Sequence, residues 1–146
     1  MIELLKLIFF LKTTLLTQAP IDIEKNNPFI YKGELDVLNG GAHISINTTH
    51  KTKCLTPKSF SRGITDNNDI KRRHKIIDEY NIIITAKDIN NNNIYFYKPY
   101  LYIYKNKLKI SISIRDVKDI KNIYKLKISS DKLLDNIKIS WVNGAK

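Results

Sequence analysis

Lys71-Arg72-Arg73-His74-Lys75 sets five consecutive side chains that are cationic, or become so on protonation, ahead of the apolar pair Ile76-Ile77 and the acid Asp78. Like charges this close repel unless a counter-charge lies near, and a chain of phosphates supplies one. Arginine adds a planar fork that bridges phosphate oxygens or stacks on a base. Further cations recur at alternate positions: Lys107 and Lys109, then Lys125 and Lys127, with Arg115 beyond the first pair. On a strand such alternation lines charges along one face at intervals of about 6.8 Å, although it is also the ordinary pattern of a solvated face. Lys53, Lys58 and Arg62 add charge to the polar segment ahead of the run. The candidate RNA-binding set is therefore Lys53, Lys58, Arg62, Lys71, Arg72, Arg73, His74, Lys75, Lys107, Lys109, Arg115, Lys125 and Lys127. Tyr100, Tyr102 and Tyr104 share a face of an extended stretch, where they either stack on unpaired bases or pack in a core.

Bulk composition supports a polyanionic partner. Lys plus Arg outnumber Asp plus Glu by 25 to 14 in 146 residues, a formal charge of +11. That favours a phosphate-rich partner or an anionic membrane surface. A hydrophobic fraction of 42% argues against a wholly disordered chain, and the length suits one core. Cys54 is the single cysteine, so neither an internal disulfide nor a thiolate-rich zinc site can form. It reads as a small packing residue. His43, His50 and His74 lack metal-ligand spacing, and Gly40-Gly41 is a turn, not a phosphate loop. No metal, cofactor or small-molecule substrate is expected. Asp78-Glu79 is the one adjacent acid pair. On a strand those neighbours point to opposite faces and cannot converge on one bond, so no catalytic residue and no enzyme is expected. Isoleucine, lysine and asparagine dominate, which points to an A/T-rich genome: an organelle, a parasite or a large virus.

The elements that must carry these residues read as follows. Met1 to Leu16 is apolar but interrupted by Glu3, Lys6 and Lys12. It is too short and too charged to span a membrane. The expectation is a helix packed on the core or on a neighbour, with a membrane or assembly anchor as the alternative. Residues 21–39 read as loop with short extended pieces, and Ala42 to Asn47 alternates weakly around Ile44 and Ile46. From Thr48 to Asn68 periodicity vanishes, leaving a basic loop that orders on RNA. From Lys75 onward the pattern is β. Leu108, Ile110, Ile112 and Ile114 share one face, and Tyr124, Leu126 and Ile128, then Ile137, Ile139 and Trp141, repeat it. Lys105-Asn106 is a tight hairpin link, and Pro99 marks an edge or bulge. The fold expected is mostly β: a small OB-like barrel with an N-terminal apolar helix and a basic loop. The expected divisions are residues 1–20 for the helix or anchor, 21–70 for a loop-rich basic segment and 71–146 for the barrel.

Three stretches resemble the universal large-subunit ribosomal protein two family. Lys71 to Asp78, "KRRHKIID", resembles its "HKRKYRIID" segment, which opens a five-stranded OB-like barrel in that family. Ser59 to Thr65, "SFSRGIT", is similar to its "GRIT" stretch. Asn136 to Lys146, "NIKISWVNGAK", is similar to its "NIALIxYxDGEK" strand and turn. The pieces follow family order across residues 54 to 146. Departures are plain. Asp66-Asn67-Asn68-Asp69 stands where the family has a "GGGH" loop, strand-like sequence is added between Tyr80 and Tyr124, and the family's C-terminal SH3-like domain has no counterpart. The resemblance implies the N-terminal half of a divergent, mitochondrial form of that protein. It would be a structural constituent of the large subunit, located in the matrix. Its partners would be rRNA, other ribosomal proteins and a separate chain carrying the missing half. The alternatives are a DNA-binding protein of an A/T-rich virus or parasite, and a scaffold anchored through Met1 to Leu16.

Overall fold

A computed structural model describes residues 12–38, 41–56, 67–115 and 122–144. The described residues form ten strands and one helix: β1 Lys12–Leu15, β2 Ile21–Ile23, β3 Phe29–Asp36, β4 Ala42–Thr48, α1 Asn67–Tyr80, β5 Ile83–Lys87, β6 Asn93–Ile94, β7 Tyr100–Tyr104, β8 Lys107–Ser113, β9 Asn122–Ser129 and β10 Leu134–Asn143. They form two antiparallel sheets. The large sheet has six strands ordered β1-β10-β4-β8-β7, with β2 also on β10, and the small sheet is β3-β9-β5-β6. β10 is long enough to hold two short strands along one side, β1 from Lys12↔Asn143 to Leu15↔Ser140 and β2 at Ile21↔Ile137 and Ile23↔Leu134.

The alternation of apolar residues dictates which face each strand buries. Leu108, Ile110, Ile112 and Ile114 on β8 and just beyond it are nearly inaccessible, as are Ile44 and Ile46 on β4 and Ile137, Ile139 and Trp141 on β10. Leu126 and Ile128 on β9 and Ala86 on β5 point inward from the small sheet, and all belong to one hydrophobic core. Trp141 also ties the sheets together, its Nε1 donating to the Asp36 carbonyl of β3 at 2.9 Å. The β7–β8 link is a two-residue turn in which Lys105 (φ 49°) and Asn106 (φ 61°) are both left-handed. That geometry matches the right-handed strand twist, so it fixes the register Tyr104↔Lys107.

Four expectations require correction. The sheets do not close into an OB-like barrel: β7 is an edge of the large sheet and β3 of the small one. The described part of the expected loop-rich basic segment 21–70 contributes strands to both sheets. β4 lies between β10 and β8, and β3 pairs with β9, so strands from both sides of residue 71 share the sheets. Within the expected N-terminal helix, Lys12–Leu15 is a strand, and residues 1–11 lie outside the described residues. No helix among the described residues is long and apolar enough to cross a membrane.

The fourth correction concerns the cationic run, which is helical instead of an arm leading into a strand. Asp69, Arg73, Ile77 and Tyr80 are buried at helical spacing. They form one stripe, and the charged residues between them face outward. Asn81 ends the helix with φ 47° and its N–H on the Ile77 carbonyl at 3.1 Å, the left-handed stop that asparagine tolerates. α1 packs against β7. Arg73 reaches the Leu101 carbonyl there at 3.4 Å, so the helix covers a sheet edge that would otherwise be open to pairing.

Candidate nucleic-acid interface

The outer face of the large sheet is built from the side chains that alternate with the core. Strand register sets them in rows. One row runs Lys138, Asn47, Lys109, Tyr102 across β10, β4, β8 and β7, and the next runs Ser140, Ser45, Ser111, Tyr100. Tyr104 lies opposite Lys107 at the turn end. The three tyrosines keep to one face, as their spacing requires: Tyr100 and Tyr104 are 52% and 50% exposed. The rings of Tyr100 and Tyr102 are near-parallel, 18° apart with centroids 6.3 Å from each other. Burial and a neighbouring Tyr104 raise the Tyr102 phenol, while a hydrogen bond with Ser45 opposes them.

At the turn end of this face is a groove of about 380 Å³ bordered by Lys51, Lys107, Lys109 and Lys138, with His50, Thr49 and Asn47 between them and no carboxylate in its lining. Lys109 Nζ is 4.8 Å from the Tyr104 ring centroid and Lys105 Nζ is 5.3 Å from it, so cations and aromatic faces are in direct contact. Cation groove and tyrosine row together form one continuous surface.

The other candidate residues are dispersed. Lys125 and Lys127 lie on the outer face of the small sheet, across the core from Lys107 and Lys109. Lys71, Arg72, His74 and Lys75 are exposed on α1, beside the tyrosine strand. Arg73 is not available to a phosphate: it is buried, with its Nε 2.9 Å from Asp69 Oδ2. Arg115 stacks over Tyr95, 5.4 Å from its centroid, at the far end of the face. Lys53 is exposed on the loop after β4. Lys58 and Arg62 lie outside the described residues. Asp78 and Glu79, expected on a strand, lie on α1 instead and pair separately with Lys98 and Lys132. Tyr124, expected to point inward, is exposed. A bulge places Gly33 and Glu34 opposite it and shifts the alternation of β9. Sequence reasoning left Lys51, Lys138, Lys32 and Lys87 out of the set. Lys138 carried a signal in its outward position between Ile137 and Ile139; the others depend on register.

The groove's loop wall is held by a polar cluster. Asp135 accepts the N–H groups of Lys53 at 3.0 and 3.1 Å and of Cys54 at 2.9 Å. Burial alone would raise this carboxyl. Hydrogen bonds from the Cys54 thiol and from both N–H groups outweigh it and hold Asp135 below the usual carboxylate range. Burial and the adjacent carboxylate push the Cys54 thiol up to about 11, so it keeps its proton at neutral pH. Tyr80 Oη donates to the Cys54 carbonyl at 3.3 Å, joining this loop to α1. Thr49 and Thr52 hydroxyls both reach the Asn136 carbonyl, at 2.9 and 2.8 Å. No group of three or more metal-ligating side chains occurs among the described residues.

The described residues thus define a two-sheet antiparallel β-protein with a basic, tyrosine-bearing sheet face. No protein-family model, curated protein or solved structure matches the chain.

Proposed function

We propose that the chain binds single-stranded RNA across the outer face of the large sheet. Phosphates lie in the groove among Lys51, Lys107, Lys109 and Lys138, and bases stack on Tyr100 and Tyr104. The observation that carries this reading is the direct contact between a carboxylate-free lysine groove and a tyrosine row on the next strand. Cations supply the sequence-independent attraction to a backbone. Exposed aromatic faces supply stacking that only unpaired bases can use, and duplexes keep theirs inside. The exposed part of the basic run on α1 extends the same charge along the β7 edge. Large-subunit rRNA in a mitochondrial ribosome, beside other ribosomal proteins, is the setting we propose on the strength of the sequence resemblance.

Fluorescence anisotropy with an unstructured RNA and with duplex DNA at matched salt tests the assignment. Tyr100→Ala with Tyr104→Ala should weaken RNA binding by about tenfold or more, since stacking contributes roughly 1–3 kcal/mol per base. Lys107→Gln with Lys109→Gln should flatten the salt dependence by about 1.4 in log–log slope, at about 0.7 per neutralised phosphate. Unchanged affinity in both variants, or tighter binding to the duplex, would overturn it.

A further inference from the structure

Register in the small sheet produces a second cationic surface. Lys125 on β9 lies directly between Lys32 on β3 and Lys87 on β5, so three ammonium groups stand abreast on adjacent strands about 4.8 Å apart. Two residues along, Lys127 occupies the next row between Ile30 and Thr85. Directly opposed like charges destabilise a sheet. Among the described residues none of the four lysines has a carboxylate partner. They border an open groove of about 320 Å³ with Asn91 at its side.

We propose that this lysine row is a second site for a phosphodiester backbone, and that one copy of the chain therefore joins two nucleic-acid segments. The idea rests on the large-sheet reading above. Its own support is geometric. The two outer faces point away from a shared core and are separated by roughly 20 Å, counting sheet spacing and side chains. A short strand seated on one face does not reach the other. The second groove has lysines on its walls and no aromatic side chain in its lining, so it holds a backbone by charge and ignores bases. A bilayer fits less well, because a flat membrane meets the rims of a groove and not its cationic walls.

The test immobilises the full chain on beads carrying an oligouridine of about 12 nucleotides and measures capture of a second, fluorescent copy of that oligonucleotide. The wild type should capture it. Lys32→Gln with Lys87→Gln and Lys125→Gln should keep binding to the bead-bound RNA, lose about tenfold or more of the capture, and show a salt slope lower by about 2. Trp141 fluorescence confirms that the triple variant is folded. Binding of the first oligonucleotide without capture of the second, or equal capture by the triple variant, overturns the second site and leaves the large-sheet reading intact. No binding of the first overturns both. Vesicles containing phosphatidylserine form the control arm: if the triple variant loses vesicle binding while its capture is unchanged, the row serves a lipid surface and the proposal fails.

Discussion

Replacing Arg73 by methionine should cost this protein a large part of its stability, although Arg73 sits in the middle of its most cationic stretch. The Arg73 and Asp69 side chains are 9% and 2% exposed, one helical turn apart, with Nε and Oδ2 at 2.9 Å. Methionine keeps much of the stem's packing but takes the cation away from the buried Asp69 carboxylate. Breaking a buried pair by removing one partner typically costs about 3–5 kcal/mol. The lost contact to the Leu101 carbonyl adds little, since at 3.4 Å it is long. Domains have about 5–15 kcal/mol in total, so the variant should retain a marginal fold and denature at much lower urea. Trp141, the single tryptophan and 1% exposed, reports the transition. Arg72→Ala, one position away but exposed, should shift stability by no more than about 0.5 kcal/mol. Adding Asp69→Asn to Arg73→Met should restore part of the loss, giving a coupling of about 1–3 kcal/mol in a double-mutant cycle. An Arg73→Met protein within about 0.5 kcal/mol of wild type would refute the structural role assigned to the pair. It follows that substituting Arg72 and Arg73 together cannot test RNA binding, because folding would change with it.

Asp135→Ala should destabilise by about 1–3 kcal/mol through the unsatisfied Lys53 and Cys54 N–H groups. Because Asp135 is held below the usual carboxylate range when folded, its contribution is present at neutral pH and lost as pH falls through the folded value. Urea curves for wild type and variant should therefore converge below about pH 4. The Cys54 thiol, pushed up to about 11, keeps its proton in the folded state where the unfolded chain gives it up near pH 8.5. Stability should consequently fall as pH rises from about 9 to 11, and thiol labelling of the folded protein at pH 8 should be far slower than of the unfolded chain. Lys125→Gln removes the central charge of the Lys32–Lys125–Lys87 row. It should stabilise the free protein by about 0.5 kcal/mol, raise its Tm by roughly 1–2 °C, and lose that advantage in 1 M salt, where the screening length is about 3 Å.

Local pattern made several strands legible. β8 and β10 alternate so regularly that the inward positions of Leu108 to Ile114 and Ile137 to Trp141 followed from period alone, as did the shared face of Tyr100, Tyr102 and Tyr104 and the tight link at Lys105-Asn106. The same logic failed at α1. The charged residues of α1 hide its stripe, yet Asp69, Arg73, Ile77 and Tyr80 carry a helical spacing, and Asp69 to Arg73 is the interval at which a helix forms an ion pair. Tyr124 was misplaced because a bulge in a partner strand distant in sequence shifts the alternation. No single strand records its partner's irregularity.

What the sequence by itself determined is the faces of β7, β8 and β10: which of their residues turn inward, and that the outward ones are basic, hydroxyl-bearing or aromatic. That follows from the two-residue period of a strand, a property of neighbours in the chain. Only the tertiary structure decided how those faces combine. Non-local pairing placed β4 between β10 and β8, gathered Lys51, Lys107, Lys109 and Lys138 around one groove, and set Lys32, Lys125 and Lys87 abreast. Helix packing took Arg73 out of the surface and into a buried pair. Register across strands as far apart in the chain as β1 and β10, where Lys12 pairs with Asn143, is chosen by how the two inner faces fill a common core, and no local spacing encodes it.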